Sequence, residues 1–186
     1  MIFPNPTDER LIGTADMGAF TGSETGSLGE KLQNLLDTLN ALSIPRLIVQ
    51  ESDQTVNSGS TGTTLVDTEL EFAVAANEVW QFEGVINLTT PAAADFKIAA
   101  TGPAGAVGSI GAQYWDISGG MDADGDALGT ELTFVSGVVG ATLFFRGGIH
   151  NGANAGALTI KFAQNTSNAG NTTVLAGSYI KYQRES

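Results

Sequence analysis

The chain contains no cysteine, which excludes disulfides and thiolate metal sites and leaves packing or self-association as the sources of stability. It is also short of positive charge. Eight Lys and Arg stand against 20 Asp and Glu, a net charge of −12, and a surface of that sign repels phosphate backbones and anionic lipid headgroups. Neither nucleic acid nor a membrane is an expected partner. There is a single histidine, so no histidine pair can hold a metal. Long apolar runs are missing too: nowhere do about 18 apolar residues follow one another, and the opening Met1-Ile-Phe-Pro-Asn-Pro-Thr-Asp-Glu-Arg-Leu11 lacks the basic-then-apolar order of a secretory signal. No transmembrane helix and no cleaved leader are expected.

What is present is small and turn-forming. Of 186 residues, 24 are glycine and only 15% are charged, with an ordinary apolar share of 42%. That composition suits tightly turned β-structure, and the length suits one substantial core plus an appendage. No Gly-X-Y period runs through it.

The first 26 residues are the least regular. Pro4, Pro6, Gly13, Gly18, Gly22 and Gly26 interrupt any helix, while Ile2, Phe3, Leu11, Ile12, Met17 and Phe20 scatter apolar anchors along the segment. A solvated tail carries fewer large apolar groups, so residues 1–26 read as an extended arm that orders on a partner. Ser27-Leu28-Gly29-Glu30 then fits a capping box. From it Leu28, Leu32, Leu35, Leu39 and Leu42 recur at four, three, four and three, the a/d seam of a coiled coil, with Leu36 beside it. Gln33, Asn34, Asp37, Thr38 and Asn40 fill the opposite face, and Ile44-Pro45 stops the helix. About two heptads are marginal alone, so the seam of this neck, 27–45, is expected to be buried by self-association; an amphipathic helix packed on its own domain is the competing reading.

After Arg46 the apolar period becomes two. Leu70, Phe72 and Val74 alternate with Glu69, Glu71 and Ala73, and Trp80, Phe82, Gly84, Ile86 and Leu88 with Gln81, Glu83, Val85 and Asn87. Further strands are expected over 46–51, 96–100, 112–118, 128–135, 141–146, 158–163 and 174–183. Asn57-Ser-Gly-Ser-Thr-Gly62, Thr101-Gly-Pro-Ala-Gly105, Gly147-Gly148 and Asn151-Gly152 read as turns between them. Roughly eight to ten strands with no helical crossovers predict an all-β antiparallel sandwich or jelly roll over 46–186.

Three phrases carry a resemblance: Asn77-Glu-Val-Trp-Gln-Phe-Glu-Gly-Val-Ile86, Ala93-Ala-Asp-Phe-Lys-Ile-Ala-Ala-Thr-Gly-Pro-Ala-Gly105 and Leu175-Ala-Gly-Ser-Tyr-Ile-Lys-Tyr182. They resemble the β-heads of bacteriophage virion proteins, which are similar in architecture to tumour-necrosis-factor-like and complement-type jelly rolls. The resemblance implies a homotrimer with the C-terminal strand central to the head, the leucine helix as its neck and the arm as its attachment.

Chemical sites compete with that reading. Asp122, Asp124 and Asp126 alternate and can offer oxygens to calcium, with Glu131 nearby, but glycine precedes Asp126 and Thr133 holds the twelfth position, so the EF-hand pattern is incomplete. A solvated acidic hairpin loop is the plainer expectation, and no metal or other cofactor is expected. His150, in Gly147-Gly-Ile-His-Asn-Gly152, reads as a structural residue at a strand end or turn; no Gly-x-Ser-x-Gly elbow accompanies it. Paired carboxylates for cleaving sugars need an aromatic grip; Trp80 reads as core, leaving Tyr114 and Trp115. Gly102-Pro-Ala-Gly105 lacks the ending of a phosphate loop. Asn87, Asn165 and Asn171 open glycosylation sequons that mean little without a secretory signal. The expected protein is therefore not an enzyme. Two structural roles fit: a capsid decoration protein (cement protein or head fibre) held to the major capsid protein or another virion component by Ile2, Phe3, Leu11, Ile12 and Phe20, or a short tail fibre whose head binds a host receptor or glycan. Either places it on the virion surface after synthesis in the host cytoplasm.

Overall fold

The structure, a computed structural model, describes residues 28–41, 44–59, 62–116, 121–135 and 140–185. The chain divides into two compact units, Met1–Leu42 and Ser43–Ser186. In the first, helix α1 runs Leu28–Ala41. Glu30 lies in its first turn, where a carboxylate complements the positive end of the helix dipole. The arm residues Ile2, Phe3, Leu11, Ile12 and Phe20, and Leu42 at the end of the seam, lie outside the described residues.

The second unit is all β. In chain order its strands are β1 Arg46–Val49, β2 Gln54–Val56, β3 Val66–Val74, β4 Val79–Thr89, β5 Phe96–Thr101, β6 Val107–Asp116, β7 Met121–Ala127, β8 Leu132–Phe134, β9 Ala141–His150, β10 Gly156–Gln164, β11 Thr172–Val174 and β12 Tyr179–Arg184. The large sheet has the order β1-β12-β4-β9-β6-β7, with β11 joining β4 to β2; the small sheet has the order β3-β10-β5-β8. Every pairing is antiparallel. First strands pair with last in nested fashion: β1 with β12, β3 with β10, β4 with β9, β5 with β8. That winding is a jelly roll, and the β6–β7 hairpin is an insertion that widens the large sheet beyond β9.

The core lies between the sheets because their inner faces are apolar at alternate positions. On β3 the inward set is Thr68, Leu70, Phe72 and Val74; on β4 it is Trp80, Phe82, Ile86 and Leu88. Aromatics gather in two clusters. Phe72 stacks on Tyr182 at 4.2 Å between centroids and touches Trp80 at 5.6 Å, while Phe96 meets Tyr114 at 5.1 Å and Phe134 at 5.2 Å.

Several expected boundaries move. Gly147-Gly148 is not a turn but lies within β9: a side chain at Gly147 would run into the ring of Phe82 and the Ser109 carbonyl. One strand away, a side chain at Gly84 would meet the ring of Phe145 and the Tyr179 carbonyl. Each glycine thus vacates the space that an aromatic of the neighbouring strand fills, a close-approach use of glycine inside a strand. The segment expected over 174–183 is broken by a turn at Gly177, φ +86°, and that over 128–135 shrinks to β8 because Gly129, φ +87°, turns the chain. The strand expected over 112–118 begins earlier, at Val107. β2 and β7 had no apolar alternation to announce them.

Candidate functional site

The sites proposed from motifs are not assembled. Asp122, Asp124 and Asp126 lie on strand β7, not on a loop. Alternate residues in a strand stand about 6.6 Å apart, too far for three carboxylates to close on one calcium with ligand distances of about 2.3–2.6 Å. Each turns inward on its own chain instead: Asp122 Oδ1 accepts from Ala123 N–H at 2.9 Å, Asp124 Oδ1 from Gly125 N–H at 2.7 Å, Asp126 Oδ1 from Ala127 N–H at 2.6 Å. Glu131 is taken up by Lys97 at 2.8 Å. Among the described residues no group of three or more metal-ligating side chains is placed to hold an ion. His150 is exposed and ends β9 opposite Val79 and Val107. Of the two aromatics set aside as a sugar grip, Trp115 is exposed, but Tyr114 is buried, facing the core with Ile110 and Ala112 of the same strand.

A different surface emerges from the register. Outward residues of the large sheet fall into rows across its strands, and one row reads Val49, Tyr179, Val85, Phe144, Gln113, Ala123 from β1 to β7. Phe144 is 44% exposed, Val49 42% and Tyr179 36%. Trp115, 50% exposed, meets Phe144 edge-on at 5.6 Å. The next row reads Leu47, Lys181, Glu83, Arg146, Gly111, Gly125. Lys181 Nζ lies 3.3 Å from Glu83 Oε1. Tyr179, Val85, Phe144, Arg146, Gly111 and Asp124 line a shallow groove across the middle of this face. A solvated face of an antiparallel sheet is ordinarily polar; this one is apolar along its centre.

These residues were not among the sequence candidates, although two signals stood in view. Phe144 and Phe145 are adjacent in a strand, so one of them has to point away from the core. Val85 interrupts an otherwise polar outward series of Gln81, Glu83 and Asn87. Helix α1 adds its own exposed apolar line: Leu28, Leu32 and Leu35, the first three seam residues, are all exposed, and Leu39 continues the same helix.

Two carboxylates of the head have perturbed titration, both downward. Glu69 is held below the usual range by the Ser52 hydroxyl and the Glu51 N–H. At Glu78, burial pushes the pKa up, but this is outweighed by the Ala75 N–H, the Trp80 indole N–H at 3.0 Å and the Arg184 guanidinium at 2.9 Å. Both stay ionised at neutral pH and serve the fold, Glu78 by tying the β3–β4 turn to the end of β12.

No protein-family model matches the chain, and no curated protein matches it. Among solved structures it is similar to the VP2 subviral particle of infectious bursal disease virus, with a TM-score of 0.21 and 8% identity over 77% of this chain and 40% of that one. It is similar to the same virus in its Gt strain, with a TM-score of 0.20 and 10% identity over 78% of this chain and 38% of the other. The chain thus spans about 40% of the length of these viral chains. An overlap this slight transfers neither fold nor role.

Proposed function

We propose that the chain is a non-enzymatic structural protein of a bacteriophage virion, a homotrimer that decorates the capsid and is held there by its N-terminal arm. The observation that carries self-association is the apolar row Val49, Tyr179, Val85 and Phe144 across the outer face of the large sheet. Exposed aromatics in one contiguous patch on a water-facing sheet are costly unless a protein partner covers them, and the exposed Leu28, Leu32 and Leu35 of α1 repeat the signal in the first unit. The virion setting and the number three come from the resemblance of 77–86, 93–105 and 175–182 to phage β-heads. The arm, with Ile2, Phe3, Leu11, Ile12 and Phe20, supplies apolar anchors outside the head.

Sedimentation equilibrium of the full chain at micromolar concentration is expected to give the mass of three chains; a clean monomer defeats the assembly. Removing residues 1–26 is expected to abolish attachment to particles while the head stays folded, and continued binding of the truncated chain defeats the arm. Imaging of labelled particles separates decoration, with label at every local threefold position, from a tail fibre, with label at one vertex.

A further inference from the structure

Three turns of the head meet at Asn151: the β3–β4 turn, the β9–β10 loop and, through Asn154, the β5–β6 turn. Asn151 follows the last residue of β9 and is only 1% exposed. Its side-chain amide donates to the Ala75 carbonyl at 2.7 Å and to the Asn154 carbonyl at 2.8 Å, and its backbone N–H donates to the Glu78 carbonyl at 2.8 Å. The Gly152 carbonyl accepts from Asn77 N–H at 2.8 Å, and Asn154 Nδ2 carries the junction on to the Ala104 carbonyl at 2.8 Å. The residue after Asn151 has to be small, because a side chain at Gly152 would lie 2.9 Å from the Gly105 carbonyl. Packing therefore dictates an asparagine followed by a glycine. In that pair the backbone nitrogen has the least obstructed path to the side-chain amide, since glycine has no Cβ, and the chain holds no other Asn-Gly. We propose that Asn151 is a modification site, deamidated without an enzyme when this junction opens and protected while it is closed, and that the product no longer closes it.

The reaction needs only water. The Gly152 nitrogen gives its proton to solvent base and bonds to Asn151 Cγ; the Cγ–Nδ2 bond breaks, and Nδ2 leaves as ammonia with a proton from solvent. Water then opens the cyclic imide at either carbonyl, leaving aspartate or isoaspartate, so that in sum one water is consumed and one ammonia released. In the closed junction the attack is held off. Turning Cγ toward the Gly152 nitrogen breaks both bonds of the amide and moves a buried side chain from its place, while the backbones of Asn151 and Gly152 are pinned by Glu78 and Asn77. Local opening removes these restraints together. The product does not fit the same place. Where the amide donates twice, a carboxylate offers only acceptors, and one of its oxygens faces the Ala75 and Asn154 carbonyls. The other takes the position of Asn151 Oδ1, which is buried and receives no donor among the described residues. A buried charge without donors is costly, and isoaspartate lengthens the backbone as well. Deamidation thus turns a reversible opening of the junction into a permanent one.

The full chain is aged at one pH and temperature with and without an unfolding concentration of guanidinium, and the peptide holding residue 151 is followed by mass spectrometry. Exchange of the amide for an acid at Asn151 is expected to run at least tenfold faster in the unfolded chain; equal rates overturn the protection. Two variants then test the product. Asn151→Ala removes the two donated bonds, whereas Asn151→Asp removes them and adds the charge. At neutral pH the folding constant of Asn151→Asp is expected to lie at least tenfold below that of Asn151→Ala in chemical denaturation, and a failure of Asn151→Asp alone to fold agrees with this. An Asn151→Asp head as stable as the Asn151→Ala head overturns the claim that the product cannot close the junction. Should neither variant fold, aged chains are diluted out of guanidinium as a mixture: the refolded fraction is expected to be depleted of deamidated chains, and their presence there at the starting share overturns the same claim.

Discussion

The two sheets bury equally apolar inner faces, yet their outer faces follow opposite rules. On the small sheet, charges face outward in pairs: Lys161 with Asp67 at 2.5 Å, Lys97 with Glu131 at 2.8 Å, and Glu71 accepting from the Thr159 hydroxyl at 2.7 Å. The register partners of the two lysines include Ala163 and Ala99, small residues that leave their aliphatic stems room to lie along the sheet. On the large sheet the outward row is Val49, Tyr179, Val85 and Phe144, and Arg146 has no ion-pair partner among the described residues. What differs is what each outer face presents: ion pairs laid over small residues on one, an exposed apolar row on the other.

The comparison breaks most sharply at Phe144. Phe144→Asp places a carboxylate in the centre of the apolar row and is expected to weaken assembly at least 100-fold, about 3 kcal/mol, as for loss of an aromatic anchor with burial of a charge. Sedimentation equilibrium reads that loss, and the melting of the isolated head is expected to move little. An equal fall in head stability would mean that Phe144 belongs to the fold and not to an interface. Next comes Gly147→Val, which acts on the shared interior. The added side chain meets the Phe82 ring and the Ser109 carbonyl, and overpacking of this kind costs about 1–3 kcal/mol or more, visible in chemical denaturation as a loss of head stability.

A smaller effect is expected from Glu78→Gln. Its folded-state pKa is depressed, so its contribution is complete above the ordinary carboxylate pKa and disappears as pH falls through the lowered folded value. The parent should lose stability on acidification below roughly pH 5, and the variant should lose less, starting about 1–2 kcal/mol lower at neutral pH because the charge-assisted bonds to Ala75, Trp80 and Arg184 are weakened. Denaturation curves at stepped pH check both. Acid also neutralises Glu69 on the small sheet's outer face, but Val49, Tyr179, Val85 and Phe144 of the large sheet include no carboxylate or imidazole. Least of all is expected from Lys97→Met on the small sheet. Its partner Glu131 is half exposed, so the change should stay within about 1 kcal/mol and leave the sedimentation of the full chain unaltered.

Much of this architecture is legible in the chain. The helix Leu28–Ala41 falls inside its leucine heptad and ends before Pro45, and the alternation at Leu70, Phe72 and Val74 or at Trp80, Phe82 and Ile86 states which side chains face inward. Other parts were hidden for identifiable reasons. Strand β7, Met-Asp-Ala-Asp-Gly-Asp-Ala, has the composition of a loop and is a strand because it pairs with β6 along its length. Gly147 and Gly148 have the composition of a turn and extend a strand because Phe82 needs the space. Tyr114 and Trp115 look alike as surface aromatics until β6 acquires an inside and an outside.

By itself, the sequence determined the class of fold, the helix and the inward set of the strongly alternating strands, since period and capping are local properties of a chain. It also determined that the chain has no disulfides and that its charge is strongly negative. Only the tertiary structure decided that Phe145 turns inward and Phe144 outward. The two are chemically identical, and the choice is made on a neighbouring strand, where Gly84 leaves room for one ring while Val85 stands beside the other. The apolar row exists for the same reason: Val49, Tyr179, Val85 and Phe144 lie far apart in the chain, and only the pairing of β1 with β12, β12 with β4 and β4 with β9 sets them in line.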